Sequence, residues 1–79
     1  MTKAKVFKLA TEALKKYTYA DLGAELIVNS KEVRKDDDWW YIPVHPSKEL
    51  KRIFPYYDVL AMATEELESH KLKVQFIPA

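Results

Sequence analysis

The chain contains one glycine, Gly23, and no cysteine in 79 residues. Those two facts limit it more than any motif does. Glycine lets a backbone take positive φ cheaply and approach a phosphate closely. With a single glycine, neither a P-loop nor a dinucleotide-binding G-x-G-x-x-G turn can be written. Without cysteine there is no disulfide and no thiolate zinc site, the staples on which domains this small often depend. Stability must therefore come from apolar packing, with self-association as the available supplement. Hydrophobic residues make up 48% of the chain and include two Trp and five Tyr, which is too apolar for disorder and enough for one core. Residues 1–79 are read as one small domain.

Helical and strand periods alternate along the chain. Val6, Leu9, Ala10, Ala13, Leu14 and Tyr17 recur at spacings of three and four, predicting a helix over 3–18 with Thr2 as its N-cap and Gly23 beyond its end. The pattern then becomes β-branched and alternating. Residues 24–34 read as a first strand and 39–45 as a second, with Lys-Asp-Asp-Asp between them as a hairpin loop. Ser47 is read as the cap of a short helix over 47–54, which Pro55 breaks. A longer helix follows over 56–69, with Tyr56, Val59, Leu60, Ala63 and Leu67 as its buried stripe. Leu72, Val74 and Phe76 alternate with Lys73, Gln75 and Ile77 in a third strand.

The element order α-β-β-α-α-β predicts an α+β fold with a three-stranded mixed sheet. A right-handed crossover through the helices makes the second and third strands parallel. Numbering strands along the chain, the expected order is 2-1-3, because Pro43 cannot donate to a ladder and argues that its strand is an edge. The first and last helices are expected on one face of the sheet.

Strand parity then divides the stretch Arg-Lys-Asp-Asp-Asp-Trp-Trp-Tyr-Ile-Pro-Val-His-Pro, residues 34–46. Trp40, Ile42 and Val44 point to the core, and Trp39, Tyr41, Pro43 and His45 to the opposite face. Register depends on the loop. A four-residue loop pairs Val33 with Trp40 and carries Lys31 beside Ile42. A three-residue loop, 36–38, pairs Arg34 with Trp40 and keeps Leu26 and Val28 inward, so it is preferred. The open face is then expected to carry Trp39, Tyr41, Ile27, Val33 and Ile77, with Lys31, Arg34 and Lys73 nearby.

Catalytic and metal chemistry finds little support. His45 with Ser30 or Ser47 is the nearest approach to a nucleophile and base, but the serines have simpler roles in a strand and a cap. His70 suits a helix C-terminus. Three adjacent aspartates, residues 36–38, lack the alternating spacing of a calcium loop and read as a solvated turn. No catalytic residue, metal ligand or cofactor is expected.

Net charge is +1, so there is no global attraction to nucleic acid. The charges are nevertheless segregated. Lys3, Lys5, Lys8, Lys15 and Lys16 face only Glu12 in the first helix, and Asp58 to Glu68 carries four carboxylates and no base. No uncharged run approaches the roughly 18–20 apolar residues of a membrane span, and the basic start lacks the apolar block of a signal peptide. A cytoplasmic protein with no membrane association is expected.

Two functions fit these features. The first is a non-enzymatic protein-interaction module whose open aromatic sheet face takes a protein partner or a second copy of the chain, forming a homodimer. The second is single-stranded nucleic-acid binding, with aromatics stacking bases and Lys31, Arg34 and Lys73 near the backbone. The element order is similar to that of type II KH domains, a family that binds single-stranded nucleic acid. In place of that family's GxxG loop between consecutive helices stands Ile-Phe-Pro-Tyr, residues 53–56.

Overall fold

The protein is described here from a computed structural model, which places residues 2–18, 24–50 and 54–78. Helix α1 spans Lys3–Tyr17, and its inward positions Val6, Ala10, Ala13 and Leu14 are buried at the expected three- and four-residue spacing. Thr2 Oγ1 accepts the Lys5 N–H at 3.2 Å, capping the first turn. At the other end the Thr18 N–H and hydroxyl both donate to the Leu14 carbonyl, at 2.9 and 2.6 Å. The expected role of Gly23 lies outside the described residues.

The sheet is mixed and built around one strand. Strand β1 is Leu26–Ile27, β2 is Arg34–Asp36, β3 is Trp39–Pro46 and β4 is Val74–Pro78. Trp40 and Tyr41 pair with Lys35 and Arg34 of antiparallel β2 on one side and with Val74 and Gln75 of parallel β4 on the other. Further along, Ile27 and Leu26 of β1 pair with His45 and Pro46. The α+β class, the mixed sheet and the parallel return strand stand as expected. The centre of the sheet differs: it is the hairpin's second strand, β3, rather than its first. The strand count differs too, because residues 24–34 are divided.

Pro43 explains both differences. The Trp40 N–H donates to the Lys73 carbonyl at 2.9 Å. Amide direction alternates along a strand, so Trp40, Ile42 and Val44 face β4, and the donor that Pro43 lacks would face the β1/β2 edge. That position falls between the Tyr41–Arg34 and His45–Ile27 pairs, where a 3₁₀ turn, Ser30–Glu32, interrupts the ladder. A proline is tolerated in a central strand here because its neighbour is looped out opposite it. Asn29 starts the turn: its Oδ1 accepts the Lys31 N–H at 3.0 Å and its carbonyl the Glu32 N–H at 2.9 Å.

The hairpin loop is shorter than expected. Asp36 pairs with Trp39, leaving only Asp37 and Asp38 in the loop, and Arg34 lies opposite Tyr41 rather than Trp40. Asp37 has φ 58°, the sign that tight hairpin turns require at their first central residue. This register puts Val33 and Lys35 on the Trp40 side. Val33, expected on the open face, is core, with 1% of its surface exposed. The looped-out turn removes the difficulty that counted against this parity, because Lys31 is lifted from the ladder before it reaches Ile42. At the strand's rim, the Lys35 ammonium lies 5.6 Å from the Trp40 ring centroid.

Helix α2 is Phe54–Ser69, with Pro55 in its first turn, where a missing N–H costs little. Residues 47–50 are not helical, and the remainder of the short helix expected over 47–54 falls mostly outside the described residues. Ser47 is not a helix cap. Its Oγ accepts the Glu25 N–H at 3.0 Å and its own N–H donates to the Glu25 carbonyl at 2.8 Å, prolonging the pairing beyond β1. Helix α2 closes in a Schellman motif. The Leu72 N–H donates to the Leu67 carbonyl (3.1 Å) and the Lys71 N–H to Glu68 (2.8 Å), with Lys71 at φ 63°.

Both helices lie on the Trp40 face of the sheet, α1 against β1 and α2 against β4, and share one hydrophobic cluster with it. The buried Tyr56 hydroxyl donates to the Val44 carbonyl at 3.3 Å, tying α2 to the central strand. No charged residue is buried among the described residues. No helix among them is long and apolar enough to cross a membrane.

Candidate interaction surface

The second sheet face carries no helix among the described residues. Strand parity makes β3 its spine: Trp39, Tyr41, Pro43 and His45 alternate with the buried Trp40, Ile42 and Val44. The contrast within the Trp pair is sharp, since Trp40 is 8% exposed and Trp39 41%. At about 3.3 Å per residue, the row from Trp39 to His45 extends roughly 20 Å.

Neighbouring strands complete the surface in known register. Trp39 has Asp36 beside it on β2, and Lys73 is level with it just before β4. Tyr41 has Arg34 on one side and Gln75 on the other, and Pro43 lies beside Ile77. Ile27 is exposed but pairs with His45, at the far end of the row from Trp39. Trp39, Tyr41, Pro43 and Ile77 therefore form the continuous apolar strip, and Ile27 is an outlier at its end. Val33 is absent from the face. Lys31 is exposed on the 3₁₀ turn, and Arg34 and Lys73 flank the two rings.

One polar contact on this face was not read from the sequence. Glu32 Oε1 lies 2.8 Å from His45 Nε2, so the imidazole N–H donates to a carboxylate delivered by the 3₁₀ turn. Both side chains are about two-fifths exposed, so water weakens the pair. Its signal was present in Asn-Ser-Lys-Glu, residues 29–32, which has the cap-x-x-Glu spacing of a helical start.

His45 is thus engaged by Glu32, and Ser47 Oγ by the Glu25 backbone. Among the described residues, no group of three or more His, Asp or Glu is placed to hold a metal ion. The acidic turn, residues 36–38, projects at the Trp39 end of the strip, all three aspartates being exposed. The face is consequently apolar along its middle and bordered by both signs of charge, with the negative charge concentrated beside the larger ring.

Compared with family models, with curated proteins and with solved structures, the chain matches none of them.

Proposed function

We propose that the protein is a non-enzymatic interaction module whose open sheet face, centred on Trp39 and Tyr41, docks a protein partner. The exposure of Trp39 beside the buried Trp40 carries this reading. A ring of that size left in water adds little to stability, whereas aromatic side chains in an apolar strip with a charged border are common anchors of protein interfaces. The partner that fits has an apolar centre and both signs of charge around it: an anion for Arg34 and Lys73, a cation for Asp36 and its neighbours.

Single-stranded nucleic acid is the second reading, favoured by ring stacking and by Arg34 and Lys73. The Asp36–Trp39 pairing and the adjoining Asp37 and Asp38 weigh against it. They set carboxylates where a phosphate backbone would follow the stacked bases.

The test is site-specific photocrosslinking in the native host, with the crosslinking side chain at position 39 and, as a control, at the exposed Lys71 in the turn after α2. A discrete protein adduct from position 39 alone, lost on Tyr41→Thr, is the expected result. Salt-sensitive retention on immobilised single-stranded DNA or RNA, abolished by Trp39→Ser, would transfer the face to nucleic acid.

A further inference from the structure

We infer that two copies of this chain associate through the outer surface of the helical layer, α1 of each copy lying on α2 of the other. This surface is on the opposite side of the molecule from the aromatic sheet face, and the inference does not depend on the function proposed for that face.

The helical layer is electrically divided along its length. Helix α1 exposes Lys3, Lys5, Lys8, Lys15 and Lys16 against one carboxylate, Glu12. Helix α2, which packs beside it, exposes Asp58, Glu65 and Glu68 and holds Glu66 half-buried, with no base between positions 58 and 68. Helix dipoles favour Lys15 and Lys16 in the last turn of α1 but do not account for the rest of the distribution. The first turn of α1 contains no acid and the last turn of α2 no base, so Lys3, Lys5 and the C-terminal glutamates of α2 meet helix ends of their own sign. Among the described residues, only the Lys16–Glu66 pair uses the complementarity between the two helices within one chain. Among the described residues Lys5, Lys8, Asp58, Glu65 and Glu68 have no ion-pair partner, and Lys15 shares a cleft with Glu25 without pairing to it.

A second copy satisfies both sets at once. A twofold axis running along the α1–α2 seam, in the plane of contact, brings α1 over the partner's α2 and α2 over the partner's α1. An axis across the seam would stack lysines on lysines, so charge selects the first arrangement. Glu12 is the one misplaced sign, and it stands four residues from both Lys8 and Lys16, which offset it. The seam supplies an apolar centre. Met62, exposed, is one turn from Glu66, and Leu9, half-buried against the core, is two turns from Lys16, so both border the line where the axis would lie. An apolar middle with charges at the rim is the usual anatomy of a specific interface.

Sedimentation equilibrium across the micromolar range tests this on the unaltered chain. A mass of twice 9.3 kDa at low ionic strength, falling toward 9.3 kDa as salt is raised, is expected. A single-chain mass at low salt overturns the inference. Two charge-reversed variants sharpen the test: Lys8→Glu with Lys15→Glu, and Asp58→Lys with Glu65→Lys. Each is expected to remain folded by far-UV circular dichroism and to be monomeric. Mixed in equal amounts, they should recover the dimer, because each reversed helix then meets its complement. A mixture that stays monomeric overturns the arrangement, as does either variant dimerising like the parent. The Trp39→Ser, Tyr41→Thr variant must keep the parental mass, and its loss would assign association to the sheet face instead.

Discussion

Lys16 and Glu66 join the C-terminal ends of α1 and α2 through an ion pair of 2.6 Å, and the Tyr17 hydroxyl donates to the same Glu66 oxygen at 3.1 Å. The hydrogen bond from Lys16 holds the Glu66 carboxyl below the usual carboxylate range, and the bond to Glu66 holds the Lys16 ammonium above the usual lysine range. Both shifts favour the charged forms, with opposite consequences at the two ends of the pH scale. The Glu66 contribution is complete above about pH 4.5 and is lost as pH falls through its lowered folded value. The Lys16 contribution is complete below about pH 10 and is lost as pH rises through its raised one. Melting temperature measured against pH should therefore fall less steeply on the acid side in Glu66→Gln than in the parent. Parallel acid limbs would show that the pair is uncoupled from folding.

Trp40 and Trp39 should respond in opposite ways to truncation. Trp40→Ala empties a position in the hydrophobic core and should cost about 3–5 kcal/mol, enough to unfold a domain of this size. Trp39→Ser with Tyr41→Thr should cost no more than about 1 kcal/mol, within the range of surface changes. Chemical denaturation of the two variants decides it, and equal losses would mean that the open face is covered.

The register of the hairpin can be checked at Val33, just before β2, and Ile27 of β1, two residues of the same parity in sequence that point to opposite faces. Val33→Asp leaves an unpaired charge in the core and should cost at least about 3 kcal/mol. Ile27→Asp should stay within about 0.5 kcal/mol of the parent. If the aspartate at 33 were tolerated, the three-residue 3₁₀ insertion would not be where the structure has it.

Lys71 occupies a left-handed position that glycine would adopt without steric cost. Lys71→Gly should stabilise the fold by about 1 kcal/mol, raising the melting temperature of so small a domain by about 4–8 °C. Asp37→Gly should give a smaller gain, since aspartate tolerates this conformation better than lysine does. A lower melting temperature for Lys71→Gly would contradict the Schellman geometry.

The two long helices and the parity of β3 were legible because each is a local, repeated pattern: Val6, Ala10, Ala13 and Leu14 in one case, Trp40, Ile42 and Val44 in the other. The centre of the sheet was not, because its evidence is relational. Pro43 argues for an edge when read alone, and only the turn across from it reveals that its missing donor has nothing to reach. Asn29 and Glu32 signalled that turn, but Leu-Ile-Val before them and Val33 after them suggested one continuous strand. The same oversight placed Val33 on the wrong face. Trp39, Tyr41 and Ile77 were found by alternation alone. The Glu32–His45 contact was not, since it joins residues that only the looped-out turn brings together.

Strand β3 has a consequence for how the molecule opens. Every strand in the described sheet pairs with β3 and with nothing else. No two of the outer strands can remain joined once it leaves, and α2 is bonded to it through Tyr56. An outer strand such as the two-residue β1 can open alone, but loss of β3 leaves no paired strands, so the amides of Trp40, Ile42 and Val44, which face β4, are expected to be among the slowest to exchange with solvent.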